Sequence, residues 1–211
     1  MRTTNFRLFR SAATILAATA LLFVGATNTT QAATPVSKGF VQPHAPSPSA
    51  KPDVTLPNLG RDKHGMPFYH PKQTKRVVRT TAYTHSESDH VTYGARNAIG
   101  TRLLYTDKYR SAAADWSVYP LGTQFVIKGQ PYIYVVDDYG SALVGTGTID
   151  IYQPSHTLMR QWGRRVVEID IIKWGSPSLS LKMLESRRSY AHCAKMHSSL
   201  AQQQSLRKKT N

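Results

Sequence analysis

Between Lys75 and Trp174 the chain alternates apolar and polar positions in six short runs, each bounded by Gly, Pro or Asp. The runs are KRVVRTTAYT (75–84), RSAAAD (110–115), TQFVIKG (123–129), YIYVVDD (132–138), TIDIY (148–152) and RVVEIDIIKW (165–174). Alternation with β-branched and aromatic enrichment predicts strands. The last run is the clearest, with Val167, Ile169 and Ile171 on one face and Glu168 and Asp170 on the other. KGQP and DYGSALVGTG supply turns. One helix is predicted from Ser155 to Trp162: Ser155 caps it, Leu158 and Trp162 share a face, and Gly163 stops it. Short strands at close spacing with one brief helix predict an all-β fold, a small closed six-stranded barrel.

Outside that region the pattern changes. Residues 1–33 read as a signal peptide: Arg2, Arg7 and Arg10 precede an uncharged apolar stretch, Ala12 to Ala26, and small residues then permit cleavage. That stretch is shorter than the roughly 20 residues that span a bilayer, so no span is expected after cleavage; an uncleaved anchor is the alternative. Eight of the twelve prolines lie between Pro35 and Pro71. Residues 34–74 are therefore expected to be an extended Pro-rich linker, whose end, GMPFYHP, packs on the domain. The domain itself is drawn over 75–176. Residues 177–211 read as a basic, partly helical tail that frays, and Cys193 within it as incidental. A lone cysteine makes no intrachain disulfide.

Charge narrows the partners. The 211 residues carry 27 Lys and Arg against 12 Asp and Glu. Removing residues 1–33 takes three arginines and no acid, which leaves a net +12. Such a chain attracts polyanions, and an exported one meets envelope polymers rather than nucleic acid. Arg187, Arg188, Lys195, Arg207, Lys208 and Lys209 sit near the C-terminus, where a solvated tail explains them as well as a binding site does.

Against this basic background, three aspartates stand at strand ends: Asp115, Asp138 and Asp150. A carboxylate is costly to desolvate unless paired, so three of them beside apolar runs suggest a cluster for acid/base chemistry. Tyr83 and Tyr139 are candidates to line a cleft and stack on a ligand, with Tyr83 equally well read as a barrel aromatic. Gly140 and Gly145 are read as tight-turn positions. His85, Glu87, Asp89 and His90 form a polar loop that fits no zinc spacing, and no metal or cofactor is expected. An aspartic-protease pair would need a second D-x-G-S copy from a homodimer.

The segments TTAYT (80–84), AADWSVYPLGT (113–123), DYGSALVGTGTIDIY (138–152) and QWGRRVVEIDI (161–171), in that order, resemble the 3D domain, a family named for three aspartates. The resemblance implies a double-psi β-barrel of secreted cell-wall proteins, like that in membrane-bound lytic transglycosylase A. Asp115, Asp138 and Asp150 match the three family aspartates, and Asp150 the catalytic acid. Asp137 adjoins the second, but Gly140, Ala142 and Gly145 put Asp138 in register. Two departures stand against it: the loop from Asp138 to Asp150 is one residue longer than the family pattern, and Tyr139 and Val144 stand where small or polar and basic residues are common in the family. Implied is a peptidoglycan lytic transglycosylase, exported to the periplasm or envelope of a bacterium, with Asp150 as general acid/base. Asp115 and Asp138 would raise the Asp150 pKa as like charges. The alternative is a non-catalytic glycan-binding barrel of the same fold.

Overall fold

The computed structural model describes residues 59–87 and 91–209. The signal-peptide reading, most of the linker, and Asp89 and His90 lie outside them. Six strands form: β1 (Lys75–Tyr83), β2 (Tyr109–Ala114), β3 (Gln124–Ile127), β4 (Ile133–Asp138), β5 (Ile149–Tyr152) and β6 (Arg165–Lys173). They close a barrel in the order β1-β5-β2-β4-β3-β6. Two neighbours run parallel, β1 with β5 and β2 with β4, and the remaining pairs are antiparallel. This all-β, six-stranded closed barrel is consistent with the double-psi arrangement expected from the sequence.

The alternation in each run becomes an inside and an outside. Val78, Phe125, Ile127, Ile149, Ile151, Ile169 and Ile171 fill the core with Trp116, Tyr119 and Tyr134. In β2 the run from Arg110 to Ala114 is buried throughout, because the strand lies between β4 and β5 and is covered on both faces. Small alanines suit that crowded place. Helix α1 (His156–Trp162) follows the sequence reading: Ser155 Oγ accepts from the Leu158 N–H at 3.3 Å, and Gly163 caps the C-terminus.

The segment after Ser176 differs from the expectation of a frayed tail. It folds into α2 (Pro177–Glu185) and α3 (Ala191–Lys209). Ser176 caps α2, and Ser180 Oγ accepts from the Leu121 N–H at 2.9 Å, tying the helix to the barrel. From α3, Cys193, Met196 and Leu200 are fully buried in the main core, with Leu184 from α2. The overlooked signal is their spacing, which puts them on one helical face; Ser and Gln around them dilute it. Cys193 is thus a core residue and not an incidental one. The turn into α2 requires Gly175, where a Cβ would lie 2.2 Å from the Pro120 carbonyl oxygen.

The end of the linker packs as expected. Tyr69 Oη accepts from the Val77 N–H at 2.8 Å, and Asp62 Oδ2 accepts from the Gly147 N–H at 3.1 Å. No helix among the described residues is long and apolar enough to cross a membrane.

Candidate active site

Strand register assembles the site. Ala113 pairs with Asp138 on one side and with Asp150 on the other, and Asp150 pairs in turn with Thr81. One row therefore crosses four strands: Asp138, Ala113, Asp150, Thr81. Two strand spacings separate the aspartates, so their Cα atoms stand about 10 Å apart. Ala113 leaves space between them, and Tyr83, Tyr152, Leu103 and Leu143 pack around it.

Asp150 is half-buried, and Thr81 donates to its Oδ1 at 2.7 Å. Burial pushes its carboxyl up to about 6; Thr81 and Arg79 pull the other way, and Glu87 and Asp138 add like charge. The expected like-charge effect thus comes from Glu87 and Asp138. Asp115 has another task. It is 1% exposed; its Oδ1 accepts from the N–H and hydroxyl of Ser117, and its Oδ2 from the Gly145 N–H at 2.6 Å. Gly145 has φ +80°, a left-handed turn that bears out the reading of that glycine. Asp115 and Asp62 therefore pin the 140–148 loop from two directions.

Asp138 is buried and held by three donors: Tyr83 Oη to Oδ2 at 3.1 Å, and the N–H groups of Ala98 and Tyr139 to Oδ1 at 3.1 and 2.9 Å. Tyr83 is the buried barrel aromatic of the two readings, and its hydroxyl reaches the acidic cluster. Its own pKa is pushed well up by burial and by the charges of Asp138, Asp137 and Asp150. Tyr139 serves through its backbone. Its ring, partly buried, packs edge-on against Trp116 at 5.0 Å and lies 5.7 Å from His192. Gly140 is extended at φ −142°, a conformation any residue adopts, so the turn does not require it. Arg187, placed by the sequence in a solvated tail, donates to the Ala98 carbonyl at 2.6 Å and so steadies the loop that holds Asp138.

Three contributors escaped sequence reading. Thr81 is visible only once β1 and β5 are in register. Glu87 accepts from the Thr84 N–H at 3.0 Å and acts on Asp150 through its charge. Asp137 occupies a β-bulge: Ala112 pairs with Val136 and Ala113 with Asp138, which skips it. The bulge buries two consecutive aspartates. Asp137 Oδ2 accepts from Ser111 Oγ at 2.6 Å and Asn97 Nδ2 at 2.9 Å, while Oδ1 is enclosed without a partner. Burial pushes the Asp137 carboxyl up to about 6. In the polar loop, His85 Nδ1 meets Tyr152 Oη at 2.7 Å.

Arg164 and Arg165 are exposed. Tyr152 and Trp162 are buried and half-buried, with Trp162 Nε1 donating to Thr80 Oγ1 at 3.3 Å.

No curated protein matches the chain. A family model does: residues 110–173, from the start of β2 to the end of β6, match the model described as the 3D domain. That stretch holds Asp115, Asp138 and Asp150. The match and the closed six-stranded barrel together bear out the resemblance to the 3D-domain family.

Proposed function

We propose that the barrel is a peptidoglycan lytic transglycosylase that cleaves the β-1,4 bond between N-acetylmuramic acid and N-acetylglucosamine. The observation that carries this reading is Asp150: a half-buried carboxyl raised to about 6, oriented by Thr81, on the same face as Asp138 and Tyr83. A carboxyl group raised to about 6 retains a protonated fraction near neutral pH and can serve as a general acid.

Glycoside hydrolysis ordinarily uses two carboxyl groups that both reach the scissile bond. Asp138 has both oxygens engaged by protein donors, which leaves Asp150 to act alone. One carboxyl suffices when the substrate brings its own nucleophile, the C6 hydroxyl of the muramoyl ring. Asp150 gives its proton to the glycosidic oxygen as the bond from that oxygen to C1 breaks. Its carboxylate then takes the C6 hydroxyl proton while O6 bonds to C1, which regenerates the acid. The product is a 1,6-anhydromuramoyl end. Intramolecular attack supplies on the order of 7–11 kcal/mol in favourable geometry. Asp138 and Tyr83 stand on the same face as Asp150, and Asp115 holds the 140–148 loop. The chemistry needs no cofactor.

Digestion of purified peptidoglycan, read by mass spectrometry, tests this. Anhydromuramoyl products from the wild type and none from Asp150→Asn are expected. Reducing-end products would instead identify a hydrolase. Binding to sacculi without any product would identify a non-catalytic glycan-binding barrel.

A further inference from the structure

On the other side of β5 from Asp150 lies a second cavity, of about 280 Å³, whose wall includes Tyr105, Arg110, Tyr132, Gln153, Gln161 and Arg165. Arg110 is its unusual member. The residue is 8% exposed, and its Nη1 is enclosed without any acceptor. None of the ion pairs among the described residues includes it. Its guanidinium carbon is 3.4 Å from the Tyr105 ring centroid and 4.1 Å from that of Tyr132. Two aromatic faces ease the burial of a cation, but they accept no hydrogen bond in the guanidinium plane. A buried cation without a hydrogen-bonded counter-charge is costly, and proteins ordinarily supply one. Here the cavity wall contains no carboxylate, and Arg165 adds a second cation.

The cavity also borders the candidate active site. Tyr105 stacks on Arg110 and stands edge-on to Tyr152, with ring centroids 6.4 Å apart. Tyr152 is two residues from Asp150 on β5, and Ile151 and Gln153, the alternate residues, face the cavity. A planar fork of donors held between two rings is preorganised for a planar anion.

We propose that this cavity is a carboxylate subsite, in which Arg110 receives a free carboxylate of the peptide stem on the muramoyl ring being cleaved. This rests on the peptidoglycan reading above. The stem hangs from the same ring that Asp150 would protonate, and the contact of Tyr152 with Tyr105 joins that face of β5 to the cavity. The glutamine amides, Gln153 and Gln161, are suited to the peptide groups of the stem.

Calorimetry on the Asp150→Asn protein, which holds substrate without turnover, tests the proposal with three probes. These are the GlcNAc–MurNAc disaccharide carrying a tripeptide stem, the same compound with its stem carboxylates amidated, and the bare disaccharide. The acid form should bind roughly 30-fold or more tighter than the amidated form, the loss associated with depriving a buried charge of its partner. Adding Arg110→Met should abolish that preference. It should also leave the melting temperature unchanged or higher, because it removes an unpaired buried charge; a merely structural stacking role predicts a lower one. Equal binding of acid and amidated forms overturns the subsite, whatever the variant does. Phosphoglycerol binding at Arg110 with no preference for the acid stem overturns it too, in favour of a phosphodiester ligand. Failure here is distinct from failure of the lytic reading: anhydromuramoyl products with no acid preference remove only the subsite. An acid preference without products leaves the subsite on a binding barrel.

Discussion

At the scale of single residues, the site is governed by which carboxyl groups keep their protons. Asp150 and Asp137 both rise to about 6 from an ordinary 3.8, chiefly through burial. A carboxyl group with a raised folded-state pKa holds its proton more tightly folded than unfolded. Below the ordinary value both states are protonated and nothing is lost. As pH rises from about 4 to 6 the unfolded chain ionises first, and stability falls. For Asp150 the full penalty above pH 6 is at most about 3 kcal/mol. Asp150→Asn should therefore melt higher than wild type at pH 7.5, with the gain vanishing near pH 4. Calorimetric melting at the two pH values checks this, and an equal melting temperature at both would contradict it. Turnover should fall as pH rises past about 6, since the protonated carboxyl is the active form.

At the scale of elements, the strands and the closed barrel were legible, and the register that pairs particular residues was not. All six alternating runs became strands at nearly their expected bounds, because period-two patterning between turn residues is a local property. So was the capped helix after Ser155. Which strands are neighbours is a long-range matter, and the partnership of Thr81 with Asp150 and the bulge at Asp137 follow only from it. The aspartates were found as residues, but the division of labour among them was not. Asp115 and Asp150 look alike in sequence, and backbone donors from a loop thirty residues on decide that Asp115 braces. The C-terminal helices were missed for another reason: three buried residues in nineteen leave a faint stripe. Leu200→Ala should cost about 2–5 kcal/mol by chemical denaturation. Cys193 supplies a local readout, since its buried thiol should resist a thiol reagent in the native protein. In Leu200→Ala its labelling should accelerate, as α3 undocks more often. A labelling rate equal to wild type would mean that α3 is not held by that contact.

At the scale of the whole molecule, charge and architecture act separately. The basic excess lies on strands, loops and helices alike, so it makes a general attraction for anionic polymer and not one docking patch. The chain without residues 1–33 should be retained on purified sacculi at low salt and released as the ionic strength approaches 1 M, where the Debye length is about 3 Å. Retention that does not change with salt would assign binding to short-range contacts alone. Arg76 shows a more local use of charge: buried, it lies 5.1 Å from the rings of both Tyr119 and Trp174 and donates to the carbonyls of Gln73 and His70, joining the segment before β1 to the barrel.

The pairing of β1 with β5 and β6 has a consequence in time. The first strand to be synthesised has as its only two neighbours the last two, so the barrel has no stable half. A chain emerging from a ribosome would offer residues 75–83 no strand partner until residue 152 was also free. Closure by such distant segments is slow compared with local folding. If residues 1–33 direct export through a narrow channel before folding, as the sequence leads one to expect, that delay is an advantage. The same connectivity that carries Thr81 to Asp150 would keep the chain open until its whole length had arrived.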